Sequence, residues 1–291
     1  MSAVTPRLPP PRRPLNTGRL LGQVLTYTAL VLLAILFLIP YYIIFRNALL
    51  SQPQITAFTW TWLPIPPRFE NLRAILEDPT APMLTGLRNS AIIATVQTSG
   101  SILLASMAGY GLARIPYRWA NQVFFLMLVT LMIPGAVTFV PSYVLVASFG
   151  WINTLHGIIV PGLFSTFNAF LFRQFYLEFP SELEDAGRVD GLSYWGIYRH
   201  ILLPNSVGII TALGLLGFIG SWNAFLWPLI IGQRSAYWTV QIVLSTFLTA
   251  QTINLPALFM GAAIAVLPLL LIFIFAQSYI VEGVKATGIK G

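Results

Sequence analysis

Residues Ser181-Glu182-Leu183-Glu184-Asp185-Ala186-Gly187-Arg188-Val189-Asp190-Gly191, followed by Ile201-Leu202-Leu203-Pro204, decide how this chain is read. They form the one long charged passage between apolar segments in the second half. It holds five acids from Glu178 to Asp190, with Arg173, Arg188 and Arg199 around them. So many charges are too costly for hydrocarbon, so the passage is a loop outside it. Ser181 and Glu184 form a capping-box pattern, which predicts a helix starting at Ser181. Asp190-Gly191 predicts a turn, with a positive φ at Gly191 that a bulkier residue would oppose. Ser193 then suits the cap of a second helix, with Tyr194, Ile197, Tyr198 and Ile201 at the helical period. Arg199 and His200 fall near its C-terminal end, where cations complement the helix dipole. Ala186 and Gly187 are small, so another surface can come close to the first helix there.

The rest of the composition sets the medium. The chain has 291 residues, 56% of them hydrophobic and 9% charged. Its mean hydropathy is +0.77. Soluble domains carry about 25% charged residues, so this is an all-α integral membrane protein. The absence of Cys excludes a disulfide framework and Cys-based metal or thiol chemistry. A net charge of +7 could suggest nucleic acid, but the basic residues flank apolar runs, which makes them topological signals instead.

Six transmembrane helices are expected, over about 20–45, 89–113, 123–144, 157–176, 204–231 and 257–279. Together they make one membrane domain, 20–282, with the charged loop at 177–203. Residues 1–19 are a polar, Pro-rich segment expected to be disordered, and 283–291 form a C-terminal tail. The first run is too long for a signal-peptide core and has no small-residue cleavage site, so it reads as a retained span. Ser101, Ala105, Gly109 and Ala113 place a small-residue stripe on the second span, a device for close helix approach. Ile133-Pro134 and Val140-Pro141 should end or kink the third. Trp238–Leu248 is only half a span and reads as an external or re-entrant helix. Trp60, Trp62, Pro64, Pro66 and Pro67 read as an interfacial belt. With six spans, eleven Lys and Arg fall on one side, including Arg114, Arg118, Arg173, Arg188, Arg199, Lys285 and Lys290. The other side has five: Arg46, Arg68, Arg73, Arg88 and Arg234. The positive-inside rule puts the first set, both termini and the charged loop in the cytoplasm of a multi-pass cell-membrane protein.

The charged loop resembles the EAA loop of ABC importer permeases. That pattern is Glu-Ala-Ala, three residues, Gly, nine residues, Ile, one residue, Leu-Pro. Asp185-Ala186-Gly187, Gly191, Ile201, Leu203 and Pro204 stand at those spacings. Asp185 replaces Glu and Gly187 replaces the second Ala. Ser221-Trp222-Asn223-Ala224-Phe225-Leu226-Trp227-Pro228-Leu229 resembles a stretch of the carbohydrate permeases, with Ala224 where they carry Glu. Asn89-Ser90 and Met132 through Thr154 are similar to the same maltose-type family, as is the Gly-rich tail ending Lys290-Gly291. The likeness covers about Phe69 to Gly291.

The resemblance implies a type I importer fold with a cytoplasmic coupling helix. It implies these partners: a second permease, two ATPases that bind ATP and Mg, an external solute-binding protein and a sugar substrate. Glu182, Glu184, Asp185, Ala186, Gly187, Asp190, Gly191, Ile201, Leu203 and Pro204 would couple to the ATPase. Lys285, Gly288 and Lys290 would touch it from the tail. The chain lacks a Gly-x-x-x-x-Gly-Lys-Ser/Thr loop, so it would hydrolyse no ATP and hold no cofactor or metal itself. Tyr143, Asn168, Ser221, Trp222 and Asn223 are uncharged polar or aromatic candidates for a sugar path. Glycerol phosphate or another polyol is the alternative cargo. An ion-driven secondary transporter fits less well, because such proteins need ionisable groups within the membrane, and the only Asp, Glu, Lys or Arg inside the six expected spans is Arg173, at the edge of the fourth. A membrane enzyme lacks its acid–base or metal cluster.

Overall fold

The computed structural model describes residues 17–248 and 253–287, with side chains placed from 22 to 248 and from 253 to 277. Most of the Pro-rich segment, together with Gly288 and Lys290 of the tail, lies outside the described residues. The regular structure among the described residues is all helical, apart from one isolated bridge between Leu248 and Ile253.

The helices follow in order. They are α1 (Thr17–Ala48), α2 (Gln52–Thr56), α3 (Glu70–Glu77), α4 (Met83–Arg114) and α5 (Ala120–Leu131). Next come α6 (Gly135–Ser148), α7 (Leu155–Ile159), α8 (Thr166–Glu178), α9 (Ser181–Val189) and α10 (Tyr194–Ile197). The last are α11 (Leu203–Asn205), α12 (Val207–Trp222), α13 (Leu226–Ile231), α14 (Val240–Thr246) and α15 (Leu255–Thr287). A 3₁₀ turn, Val160–Gly162, continues α7 towards α8, and a π-helical turn, Tyr198–Leu202, joins α10 to α11.

Four segments are long and apolar enough to cross a bilayer: Gly22–Ala48, Met83–Arg114, Leu155–Glu178 and Leu255–Gln277. Two bent pairs raise the number to six if each counts as one span. One is α5 with α6, bent by 98°; the other joins Tyr194–Asn205 to α12 at 74°. The expected third span, 123–144, is therefore two helices, broken at the first of the two Pro sites where an end or kink is expected. Pro134 has no N–H for the helix ladder, and its ring drives Ile133 out of helical geometry. Pro141, by contrast, sits inside α6 without ending it. The second span starts earlier than expected, at Met83, so Arg88 lies within its helix. The fifth breaks after Trp222 and resumes as α13. A short helix, α14, occupies the place of the half-span.

The α4 helix is the centre of the packing, with α8 and α12 against it and α15 behind α12. The small stripe makes this possible. A Cβ on Gly109 would sit 2.6 Å from the Cβ of Phe172 and 2.9 Å from the Arg173 nitrogen. Ala105 is wholly buried in the same seam. One apolar cluster lies at the end where α10 packs and includes Ile102, Phe172, Leu202 and Leu213. Another, at the opposite end, gathers Met83, Trp222, Val243 and Met260. Buried polar side chains tie that opposite end together. Asn89 Nδ2 donates to the carbonyls of Ala236 and Trp238, each at 2.9 Å. Ser90 Oγ accepts from Val240 N at 2.9 Å. Asn71 Nδ2 donates to Ala48 and Leu50 carbonyls at 2.9 and 3.0 Å. The Asn89-Ser90 pair noted in the sequence is thus a fastening of α4 to the segment before α14. Arg46 holds the Trp60–Trp62 loop, with its guanidinium 4.0 Å from the Trp60 ring and its Nη2 donating to Thr61 Oγ1 at 2.9 Å.

Candidate functional site

The charged loop folds as an elbow of two helices. Gly191 has φ +82°, the left-handed conformation expected of it. Around it Leu192 N donates to Gly187 O at 2.9 Å and Gly191 N to Arg188 O at 3.0 Å. This paired arrangement is the Schellman helix stop, which satisfies carbonyls otherwise left open at the end of α9. Ser193 caps α10, its hydroxyl accepting from Gly196 N at 3.3 Å. The expected capping box at Ser181 does not form: Pro180 holds the cap position and makes no side-chain bond. The reason lies in Glu184, which would have to reach back to the helix start but turns inward instead.

Glu184 is 2% exposed. Its Oε1 lies 3.2 Å from Arg114 Nε and its Oε2 3.5 Å from the Arg188 guanidinium. The Arg114 N–H itself points at the Tyr176 carbonyl, 2.7 Å away, so its attraction to Glu184 is Coulombic. Arg114 also donates to the Phe179 carbonyl. One guanidinium at the end of α4 thus neutralises the buried acid of α9 and satisfies the last carbonyls of α8, where the helix dipole favours a cation. Behind this pair is a buried hydroxyl cluster. Ser106 Oγ and Tyr176 OH are 2.7 Å apart, and Tyr198 OH donates to Ser106 Oγ at 3.0 Å. Tyr110 OH donates to the Tyr194 carbonyl at 3.0 Å, and its ring stacks on Tyr198 with centroids 5.3 Å apart. The elbow is therefore fastened to α4 and α8 by an ion pair, three tyrosines and a serine.

The two faces of the elbow separate the sequence candidates. Glu182, Asp185, Ala186, Asp190, Gly191 and Pro204 are exposed. Asp185 pairs with Arg188 at 2.7 Å on this outer face. Leu183 and Val189 are exposed beside Ala186, Val189 at 88%, and Trp195 follows on α10. Glu184 and Gly187 are corrections: both face inward and are closed to a partner. A Cβ on Gly187 would be 2.6 Å from Ile201 Cδ1, so Gly187 serves the approach of α9 to its own chain. Ile201 and Leu203 are half-buried. The sequence reading missed Arg114, Tyr110, Tyr176, Tyr198 and Ser106, which come from separate elements with no shared motif. It also passed over Leu183 and Val189, although their spacing from Ala186 marks one helix face.

The path candidates do not come together as a group. Asn168 and Ser221 line one cavity of about 440 Å³ between α4, α8 and α12, with Gln97, Ser101 and Ser165. Tyr143 lines a different hollow, with Phe139 and Gln233. Asn223 is exposed at the end of α12 and accepts from Gln241 Nε2 at 2.9 Å. Trp222 is a correction: it is 2% exposed, stacks on Phe218 and donates its N–H to Ala265 O at 3.2 Å. It is a core residue joining α12 to α15. Gln97, absent from the sequence candidates, accepts from Ser221 Oγ at 2.7 Å. Among the described residues, no group of His, Cys, Asp and Glu has the arrangement of a metal site.

This chain is similar to known proteins over most of its length. The family described as binding-protein-dependent transport system inner membrane component matches residues 101–286. An arabinooligosaccharides transport system permease protein, AraQ, of Halalkalibacterium halodurans is 36% identical over 71% of this chain and 74% of its own. The lactose transport system permease protein LacG of Rhizobium radiobacter is 34% identical over 74% and 78%. The sn-glycerol-3-phosphate transport system permease protein UgpE of Salmonella typhi is 32% identical over 72% and 75%. Among solved structures, a chain of a bacterial ABC transporter involved in the import of the acidic polysaccharide alginate superposes with a TM-score of 0.78. That match covers 92% of this chain and 99% of the other at 17% identity, and it establishes the likeness of fold.

Proposed function

The chain belongs to the family of binding-protein-dependent transport system inner membrane components, and from that premise we propose that it passes a sugar, a di- or oligosaccharide, through the membrane as one permease subunit of an ATP-driven importer. A second permease completes the path, two ATPases supply the energy, and an external binding protein delivers the sugar. The observation that carries this reading is the two-faced elbow. Its inner face is locked to α4 and α8, while its outer face presents Leu183, Ala186 and Val189 between exposed acids. A helix held rigidly from behind and small at its exposed centre transmits movement from a docked ATPase into the spans. The orientation that follows is both termini and α9 on the cytoplasmic side.

Sugar is favoured over glycerol phosphate because no charged side chain lines the α4–α8–α12 cavity. A phosphate would enter that cavity without a cation to offset its desolvation. The glycerol-phosphate reading keeps the support of the Salmonella relative. Uptake of labelled sugar and of labelled glycerol phosphate by the same assembled importer separates the two.

The central experiment is Ala186→Arg. A long cation forced into a docked interface without a partner is strongly unfavourable. The variant should reach the membrane at normal levels, lose co-purifying ATPase and abolish uptake. Retained ATPase binding together with retained uptake would overturn the docking role. The native chain has no Cys, so thiol labelling tests orientation without background. A Cys at Asp190 should react from the cytoplasmic side only, and one at exposed Ser235 from outside only. The reverse pattern would refute the orientation.

A further inference from the structure

The cavity that contains Asn168 and Ser221 does not stand alone. A second, of about 300 Å³, lies beside it towards the end of the molecule opposite the elbow, where Thr138 and Trp227 line it. Gln97, Gly162 and Ala224 line both. The boundary between the cavities is therefore drawn by three residues, and only one of these has a long side chain. Gln97 projects from α4 and spans the gap. Its Oε1 accepts from Ser221 Oγ on α12 at 2.7 Å, and its Nε2 lies 3.4 Å from the Ile159 carbonyl at the end of α7. A Cβ on Gly162 would collide with the Gln97 amide, so the bare backbone there is what lets the side chain cross. Ala224 adds no bulk on the far side.

We propose that Gln97 and Ser221 form a hydrogen-bonded crossbar that closes the translocation path between an upper and a lower chamber, and that Gln97 is a specificity-determining residue for neutral, hydroxylated solutes. The inference rests on the importer reading above. The chemistry follows from the groups present. An amide offers donors and an acceptor, and a hydroxyl offers both, so a sugar hydroxyl can replace each half of the bond as the bar opens. An apolar solute cannot make that exchange and would leave the displaced amide unpaired where it blocks water. Neither chamber is lined by a charged side chain, so an ionic solute gains nothing to replace its water.

The experiment uses the assembled importer in proteoliposomes with sugar-loaded binding protein. In the double variant Gln97→Cys with Ser221→Cys, a short bis-methanethiosulfonate reagent replaces the crossbar by a covalent one. The untreated double variant should already import less than the native complex; cross-linking should lower its residual uptake at least about a further tenfold, restored to the untreated level on reduction, with ATPase still bound. Uptake unchanged after complete cross-linking would overturn the proposal. Should that variant fail to assemble, Gln97→Leu keeps the bulk and removes the hydrogen bonds. About a tenfold loss of sugar uptake at normal subunit levels is expected, and undiminished uptake would refute the role of Gln97. Failure of the importer reading itself looks different, because the unmodified complex would then show no ATP-dependent sugar uptake at all.

Discussion

The elbow and the two-chamber furrow are built in opposite ways. The elbow comes from one run of chain, residues 181–205, whose turn, caps and exposed face are local. The furrow is assembled from α4, α6, α8, α12 and α13, its polar groups drawn from separate parts of the chain: Gln97 to Ser101, Thr138 to Ser142, Ser165 to Asn168, and Ser221. At the elbow, Arg114 and the tyrosine cluster are hydrogen-bonded to several partners, and Glu184 Oε1 is held by charge alone. In the furrow the bonds are few and, apart from Ser221 Oγ to Gln97 Oε1 at 2.7 Å, long, such as Asn168 Nδ2 to Ser101 Oγ at 3.5 Å. On the proposed function, the difference separates a part that transmits force from a part that opens. Rigidity requires satisfied buried partners, whereas an opening path requires contacts that exchange easily with solute or water.

The comparison breaks most sharply at Arg114. Arg114→Ala strands Glu184 without its closest cation and frees the terminal carbonyls of α8. Removing one partner of a buried pair costs roughly 3–5 kcal/mol. The subunit should fall to low levels or melt well below the native protein in detergent. Near-native melting would show that the elbow is not held by this pair. Glu184→Gln, which keeps size and removes the charge, should cost less.

A smaller effect is expected along the α4 stripe, which runs from one region into the other. Gly109→Leu forces a side chain into the Phe172 backbone, and overpacking of this kind costs about 1–3 kcal/mol. Ser101→Ala, two steps of the stripe nearer the furrow, should change stability little. Equal melting losses for the two variants would erase the distinction between a packed end and an open one.

The smallest effect sharpens the assignment of the path. Trp222→Phe keeps the stack on Phe218 and removes one hydrogen bond, worth about 1 kcal/mol. Stability should drop slightly while the KM for sugar uptake stays unchanged. A shift in KM of several-fold would return Trp222 to the solute path and count against its core placement.

Much of the elbow is legible in the residues. Gly191 is read correctly because a turn with positive φ is a property of two or three residues. The cap at Ser193 is of the same kind. Glu184 is misread because its surroundings lie elsewhere: its nearest cation is on α4, seventy positions earlier in the chain. A capping box and a buried ion pair use the same carboxylate, and the stronger competitor wins. The break in the third span is legible as well. Pro134 announces it, but the size of the bend, 98°, is seen only in the folded chain.

By itself the sequence determined the medium, the number of apolar runs, the small-residue seam of α4 and the position of the charged elbow. These follow from composition and short-range geometry, which act over one or two helical turns. Only the tertiary structure decided which face of α9 is free, that Trp222 belongs to the core, and that Gln97 meets Ser221 across the furrow. Those outcomes depend on side chains brought together from distant helices, and burial, charge pairing and hydrogen bonding are set by neighbours in space.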